Sequence, residues 1–347
     1  MPRRAPNLRK LAPMEARLVD ALPSGAGWQF EPKWDGFRCL ASRDGRRIEM
    51  AAKSGKTLAR YFPEMVEQLA ALKMRNGTFV LDGELAIPVG STLDFEALQM
   101  RLHPAESRIR KLSRETPAIF IVFDLLIAPG GQSLIDRPLA ERRSALESFF
   151  AAVESPSSFR LSPYTRQRST AEAWLGRAAG ALDGVVAKRL DEPYLMGERG
   201  WLKIKRLRTA DCVVGGFRYA TDSTLVGSLL LGLYDDDGVL HHVGFTSGIS
   251  NDVRAALTKK LEALRGGPGF TGNAPGGPSR WSTERSEKWE KLKPKLVAEV
   301  RYDHVTGNRF RHGTRFLRWR PDKAPRQCTF DQLQSESRPS RLLAKIV

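Results

Sequence analysis

The chain has 347 residues, 41% of them hydrophobic, and a formal net charge of +17 from 56 Lys and Arg against 39 Asp and Glu. Such a length points to two domains with real cores, and the basic excess favours a polyanion such as nucleic acid, with anionic lipid a weaker alternative. No apolar run approaches the roughly 18 residues of a membrane span, Met1-Pro2-Arg3-Arg4 lacks the apolar stretch of a secretory signal, and Cys39, Cys212 and Cys328 form no metal pattern and suggest a reducing cytoplasm.

Residues 1–208 read as an α+β pattern of alternating strands and helices without βαβ regularity. Gly27–Pro32 and Phe37–Ala41 are short extended segments, and Arg43-Asp44-Gly45-Arg46 carries an Asp-Gly hairpin signal. Phe62–Leu72 is helix-like, with Met65, Leu69 and Leu72 on one face. Thr78–Ile87 is a strand, Leu93–Leu102 a helix, and the apolar run Ala118–Leu126 a buried strand. Pro138–Ala152 starts with proline in the first turn of a helix; Thr170–Leu182 is another helix, and Gly184–Lys188 returns to strand.

Past Arg208–Asp211 the pattern becomes strand-rich: Cys212–Phe217, Ser228–Tyr234, Val239–Phe245, Val297–Val305 and Arg309–Trp319. Ser250–Leu264 interrupts as a helix with Val253, Ala256, Leu257, Leu261 and Leu264 on one face. Five strands with one helix between them fit a small Greek-key barrel of the OB type better than a sandwich. Gly266–Pro278 reads as a loop, and the polar residues from Gln332 as a fraying tail. Basic residues concentrate at Arg108–Arg114, Lys203–Arg208 and Arg309–Arg326.

Several segments place charge where a bland core would be apolar. Lys33-Trp34-Asp35-Gly36-Phe37-Arg38 offers a lysine nucleophile, a carboxylate to orient it or take its proton, and an arginine whose like charge can lower its pKa from the usual value of about 10.4. Gly36 permits backbone angles other residues avoid. A charged hairpin corner would use the same residues. Asp82-Gly83-Glu84 puts two carboxylates on one side of a strand unless the glycine kinks it, and a hard cation or ribose hydroxyl would partner them; an exposed turn is the plainer reading. Phe123 ends an apolar strand, where it could stack on a base or simply fill the core. Asp183-Gly184-Val185-Val186-Ala187-Lys188 mixes an acid and a lysine around a β-branched pair. Lys203 and Lys205 lie one strand period apart, about 6–7 Å between Cα atoms, a spacing that suits one phosphate group as well as a solvated face.

Each signal is moderate, but their order is specific. Lys33-x-Asp35-Gly36, Asp82-Gly83-Glu84, Phe123-Asp124, Asp183-Gly184-Val185-Val186-x-Lys188, Lys203-x-Lys205 and Arg315-Phe316-Leu317-Arg318-Trp319-Arg320-Pro321-Asp322-Lys323 together resemble the covalent nucleotidyltransferases, the polynucleotide ligases and mRNA capping enzymes. From about Leu11 to Phe330 the chain is most similar to the minimal, two-domain bacterial ATP-dependent DNA ligases. The resemblance implies an α+β nucleotidyltransferase (adenylation) domain over 1–208, followed by a β-barrel OB-fold domain over 209–331 and a tail over 332–347.

The resemblance also implies roles. Lys33 would carry AMP through a phosphoramidate, with Asp35 beside it. Glu31 would contact the adenine edge, Phe123 would stack on the purine, and Lys188 would belong to the same nucleotide-binding set. Arg38 would contact ribose or the nick phosphate, Glu84 would handle ribose and metal, and Lys203 and Lys205 would hold the α-phosphate. Arg320, Asp322 and Lys323 would orient pyrophosphate. The cofactors would be ATP and Mg²⁺ or Mn²⁺, with Glu84 and Asp183 on the metal. Two positions depart from the pattern: Asp183 replaces a glutamate, and Lys53 replaces an arginine that grips a nick phosphate, a grip a point charge cannot reproduce bidentately.

The implied substrate is nicked or broken double-stranded DNA, sealed by a cytoplasmic, nucleoid-associated monomer in DNA repair. Only 32 residues precede the lysine hexapeptide and the resemblance finds no N-terminal DNA-clasping domain there, so weak turnover on a lone nick, or help from a DNA-end-binding partner, is expected. RNA ligase and GTP-dependent capping chemistry are the rival enzyme readings. A non-catalytic OB-type DNA-end-binding protein is the rival from another class. NAD⁺-dependent ligation is disfavoured, since no upstream nicotinamide-reading domain or cysteine cluster is found.

Overall fold

A computed structural model describes residues 11–74, 77–90, 92–153, 158–176, 182–276 and 288–333. The chain forms two compact units, the first ending at Arg206 and the second beginning at Leu207. The predicted tail falls almost wholly beyond residue 333, outside the described residues, as do 177–181 of one predicted helix and 277–278 of the Gly/Pro-rich loop.

The first unit contains β1 (Ala16–Leu18), β2 (Trp28–Trp34), β3 (Phe37–Asp44), β4 (Arg47–Ala52), α1 (Pro63–Ala71), β5 (Phe79–Ala86), α2 (Phe95–Met100), α3 (Glu106–Glu115), β6 (Ile119–Ala128), α4 (Leu139–Ala152), β7 (Phe159–Leu161), α5 (Arg168–Gly176), β8 (Leu182–Arg189) and β9 (Trp201–Ile204). One sheet has the order β1-β9-β8-β2, the other β7-β6-β5-β3-β4. The expected helix over 170–182 is described over Arg168–Gly176, and Leu182 opens β8 opposite Trp34. The basic run at 108–114 is the helix α3, which the sequence reading missed because only Ile109 on it is buried.

Period-two alternation explains how the sheets stack. Phe30, Val185, Ala187, Leu202 and Ile204 point outward from the first sheet onto Ala171 and Trp174 of α5. The outer face of the second sheet, with Cys39, Leu81, Phe120, Val122 and Leu125, packs on Met65, Leu69, Leu98, Leu146 and Phe149 from α1, α2 and α4. Between the sheets Leu40, Val80, Phe123 and Leu126 meet Trp201, Tyr194 and Met14. The inner face of the first sheet is left with Glu31 and Lys33 on β2, Lys188 on β8 and Lys203 on β9.

Lys33 does not stand at a hairpin corner. It lies on β2, and Asp35-Gly36 carry the chain from one sheet to the other, because β2 pairs with β8 while β3 pairs with β5. Gly36 is needed here for space and not for backbone freedom: a Cβ would sit 2.2 Å from the Leu85 carbonyl oxygen, and its φ is not positive. The predicted hairpin forms between β3 and β4, with Gly45 (φ +63°) opening a two-residue turn after Asp44.

The second unit contains β10 (Arg208–Tyr219), β11 (Val226–Tyr234), β12 (Leu240–Thr246), α6 (Asn251–Glu262), β13 (Val297–Tyr302) and β14 (Arg315–Trp319), in the sheet order β12-β11-β10-β13-β14. A parallel bridge between Thr246 and Thr314 joins the two end strands, with Thr246 Oγ1 donating to the Thr314 carbonyl at 2.9 Å. That closes a five-strand barrel of the OB type around Val213, Leu231, Val243 and Val300. The strand expected over 309–319 is interrupted: Val305–Thr306 and Arg309–Phe310 form a short hairpin before β14 begins. The expected apolar face of α6 is only partly buried. Leu261 is in the core, but Val253 is 46% exposed and shares a groove with Leu257, Phe316 and Trp319.

Candidate active site

A cleft of about 230 Å³ opens between the two sheets of the first unit. Glu31, Lys33, Arg38, Lys53, Glu84, Phe123, Lys188 and Lys203 of the predicted set line it, together with Pro13–Ala16, Val186 and Trp201. Lys33 Nζ donates to Asp183 Oδ2 at 2.6 Å, and Lys205 Nζ approaches the same oxygen at 3.2 Å. Burial opposes the Asp183 charge, but Lys33 and then Lys205 outweigh it, and the carboxyl titrates below its usual range.

A β-bulge makes this contact possible. On β8, Leu182 pairs with Trp34 and Gly184 with Lys33, so Asp183 is an extra residue. Regular alternation would turn it toward α5; the bulge turns it to Lys33. Gly184, at φ +145°, lets the strand pass β9 so closely that a Cβ would lie 2.0 Å from the Ile204 carbonyl oxygen. Phe123 is also an extra residue: Asp82 pairs with Asp124 and Gly83 with Val122. The kink anticipated at Gly83 is therefore on the neighbouring strand, and Asp82 and Glu84 keep a common side.

Phe123 stands in the cleft wall, 8% exposed, edge-on to Trp201 at 6.1 Å. The Arg38 guanidinium and Lys188 ammonium each lie 4.5 Å from its ring centroid. Lys188 also holds Glu31 at 2.7 Å, and Gln29 donates to the other Glu31 oxygen at 2.8 Å. Burial lowers the Lys188 pKa against the opposing pull of Glu31. Arg38 grips Asp82 with Nε and Nη2 at 2.5 and 2.6 Å, and burial, which opposes its charge, is outweighed by Asp82.

The cations crowd at one end of the cleft. Burial lowers the Lys203 pKa, and Lys33, Lys205, Lys53 and Arg199 lower it further. An anion placed among these groups relieves that repulsion. Lys53, 59% exposed, pairs with Glu15 at 2.9 Å, and Arg199 approaches the same Glu15 oxygen at 3.6 Å. Neither Glu15 nor Arg199 could be picked out from the sequence, because their meeting depends on β1 pairing with β9.

A small hard cation takes one or two carboxylates and fills its shell with phosphate oxygens; of the two expected carboxylates, Glu84 lines the cleft and Asp183 lies against Lys33. Burial pushes the Glu84 carboxyl up to about 7, against Lys33 and Arg38 and with Asp35 and Asp82 adding to the rise. A nearby cation would favour its charged form. Among the described residues there is no cluster of three or more His, Cys, Asp or Glu side chains that could cage a metal alone. Asp35 is buried where the chain crosses between sheets.

Arg320, Asp322 and Lys323 belong to the second unit, after β14. Arg320 holds Asp211 with Nη1 at 3.0 Å and Asp322 with Nη2 at 2.8 Å, while Lys323 reaches Asp211 at 2.8 Å. A hydrogen bond from Arg320 pulls the exposed Asp322 carboxyl down to about 2.

A lysine facing a carboxylate and further lysines in a cleft between two sheets, on a chain that continues into an OB barrel, is the arrangement of a covalent nucleotidyltransferase. Residues 11–205 match the ATP dependent DNA ligase domain, and residues 222–323 match the ATP dependent DNA ligase C terminal region. The chain is 43% identical over 346 residues to DNA ligase C2 of Mycolicibacterium smegmatis, covering 95% of this chain and 96% of that one. It is 29% identical over 321 residues to the multifunctional non-homologous end joining DNA repair protein LigD of Mycobacterium tuberculosis, covering 91% of this chain and 37% of that one. A solved Lig E DNA ligase shares the fold, with a TM-score of 0.56 at 18% identity over 88% of this chain and 99% of that one. The chain belongs to the ATP-dependent DNA ligases.

Proposed function

We propose that Lys33 is the nucleophile of a three-step ligation, and the observation that carries this is its amine, held 2.6 Å from Asp183 among Lys203 and Lys205. After losing a proton, the amine attacks the α-phosphorus of ATP; an N–P bond forms, the bond to the bridging oxygen breaks, and pyrophosphate leaves. AMP then passes to the 5′-phosphate at a nick and restores the lysine. The 3′-hydroxyl attacks that activated phosphate, forms the phosphodiester and expels AMP. Phosphoryl transfer asks the protein mainly for positioning and charge neutralisation.

In this reading Lys203 and Lys205 hold the α-phosphate, Glu31, Phe123 and Lys188 hold the adenine, and Arg38 and Lys53 serve the ribose and the nick phosphate. Asp35 supports the lysine, and Arg320, Asp322 and Lys323 orient pyrophosphate. Glu84 and Asp183 would hold Mg²⁺ or Mn²⁺, which would neutralise phosphate charge. We assign the substrate as nicked or broken duplex DNA and the setting as cytoplasmic DNA repair by a monomer, assisted by a DNA-end-binding partner. The resemblance to LigD supports the repair assignment. Incubation with α-labelled ATP tests the nucleophile. Wild type should retain label after denaturation and Lys33→Ala should lose it; label kept by the alanine variant would sink the assignment.

A further inference from the structure

The wall of the cleft formed by Pro13–Ala16 has no counterpart among the sequence motifs. Met14 at its centre is 1% exposed, and both its backbone groups are fastened. Its N–H donates to Tyr194 Oη at 2.9 Å, and its carbonyl accepts from Arg38 Nη2 at 3.3 Å. Tyr194 Oη in turn donates to Asp82 Oδ2 at 2.6 Å, and Asp82 accepts Nε and Nη2 of Arg38. The four residues close a hydrogen-bonded ring: Met14 N–H to Tyr194, Tyr194 to Asp82, and Arg38 to both Asp82 and the Met14 carbonyl.

This ring is buried, with Tyr194 2% exposed and Asp82 0%. The phenol has little freedom. Its ring stands edge-on to Trp201 at 5.8 Å, the Arg142 guanidinium lies 5.6 Å from its centroid, and its backbone N–H donates to the Ile135 carbonyl. Burial and then the Asp82 charge push its pKa well above the usual tyrosine value, so it remains a donor. Two lining elements meet at this one oxygen: the Met14 segment, and the carboxylate that aims Arg38 over Phe123.

We propose that Tyr194 is a positioning residue for the nucleotide. Its hydroxyl fixes the Met14 wall and the Asp82–Arg38 pair together, and so sets the shape of the cleft beside Phe123. This rests on the reading that the cleft takes the nucleoside of ATP. Removing the hydroxyl strands the buried Met14 N–H and takes one of the donors from Asp82, while the ring and its packing stay. The wall and the arginine then loosen, and nucleotide capture suffers before chemistry does.

The test is single-turnover formation of lysyl-AMP by full-length wild type and Tyr194→Phe across ATP concentrations, below the melting midpoint of both. The half-saturating ATP concentration should rise about tenfold, with the rate at saturation within about twofold. Because both side chains sit in one ring, adding Arg38→Lys to Tyr194→Phe should raise half-saturation by less than the product of the two separate effects. Unchanged half-saturation in Tyr194→Phe, or a saturated rate that falls as far as the affinity, overturns the positioning role. A full product in the double variant overturns the coupling through Arg38. Absence of lysyl-AMP from wild type would remove the functional reading itself and this role with it, whereas labelled wild type with unaltered Tyr194→Phe removes only the role.

Discussion

The amine of Lys33 is held by a carboxylate 150 positions later in the chain, and Asp183 can hold it while being one methylene shorter than glutamate because its backbone is bulged toward β2. A second titratable group shows burial prevailing. His242 is 5% exposed in the barrel, accepts from Arg309 at Nδ1 over 3.1 Å, and has no hydrogen-bond partner for Nε2. Burial, then Arg309 and Arg218, lower its pKa from 6.5 to about 3. Below pH 6.5 the unfolded chain binds a proton that the folded one refuses, so this stability is complete above 6.5 and is lost as pH falls toward 3. His242→Phe should therefore lose less stability than wild type between pH 7 and pH 4, by about 3 kcal/mol, in urea melts. Parallel pH profiles would refute it.

At the scale of the element, strand irregularities shape the candidate site. Asp183 and Phe123 are the extra residues of two bulges, one in each sheet; the first meets the Lys33 amine and the second stands in the cleft wall. Gly184 permits the first of them by letting β8 pass within contact of β9. Gly184→Ala should destabilise the first unit by about 3 kcal/mol or more, since backbone and not a flexible side chain must yield. Gly45→Ala, at φ +63° with nothing within 4 Å of the added Cβ, should cost about 1–2 kcal/mol from the backbone angle alone. Equal losses in denaturant titrations of the two variants would show that the close approach to Ile204 is not the constraint.

Across the whole molecule, each unit has its own core, and the charge belongs to the chain as a whole. A net +17 on a DNA ligase predicts binding dominated by phosphate contacts and counterion release. Affinity for a nicked duplex should fall by about 10³-fold or more between 50 and 200 mM salt if six or more phosphates are neutralised. A titration with no salt slope would contradict backbone-dominated binding. No described helix is long and apolar enough to cross a membrane.

Much of this was written in the chain. The order of charged segments gave the family, and the strand content past residue 208 gave the barrel, because period-two patterns and turn residues are local signals. Lys33, Glu84, Lys188 and Lys203 were legible because charge inside apolar strands needs a partner. Local pattern could not say which partner. The sequence suggested Asp35 for Lys33 and like-charge repulsion from Arg38. Tertiary structure added Asp183 as a hydrogen-bond acceptor for the lysine, and tied Arg38 to Asp82. It alone decided the two bulges, the crossing at Gly36 and the Tyr194 ring, since each depends on how a strand meets another from a distant part of the chain, and no single segment carries that register.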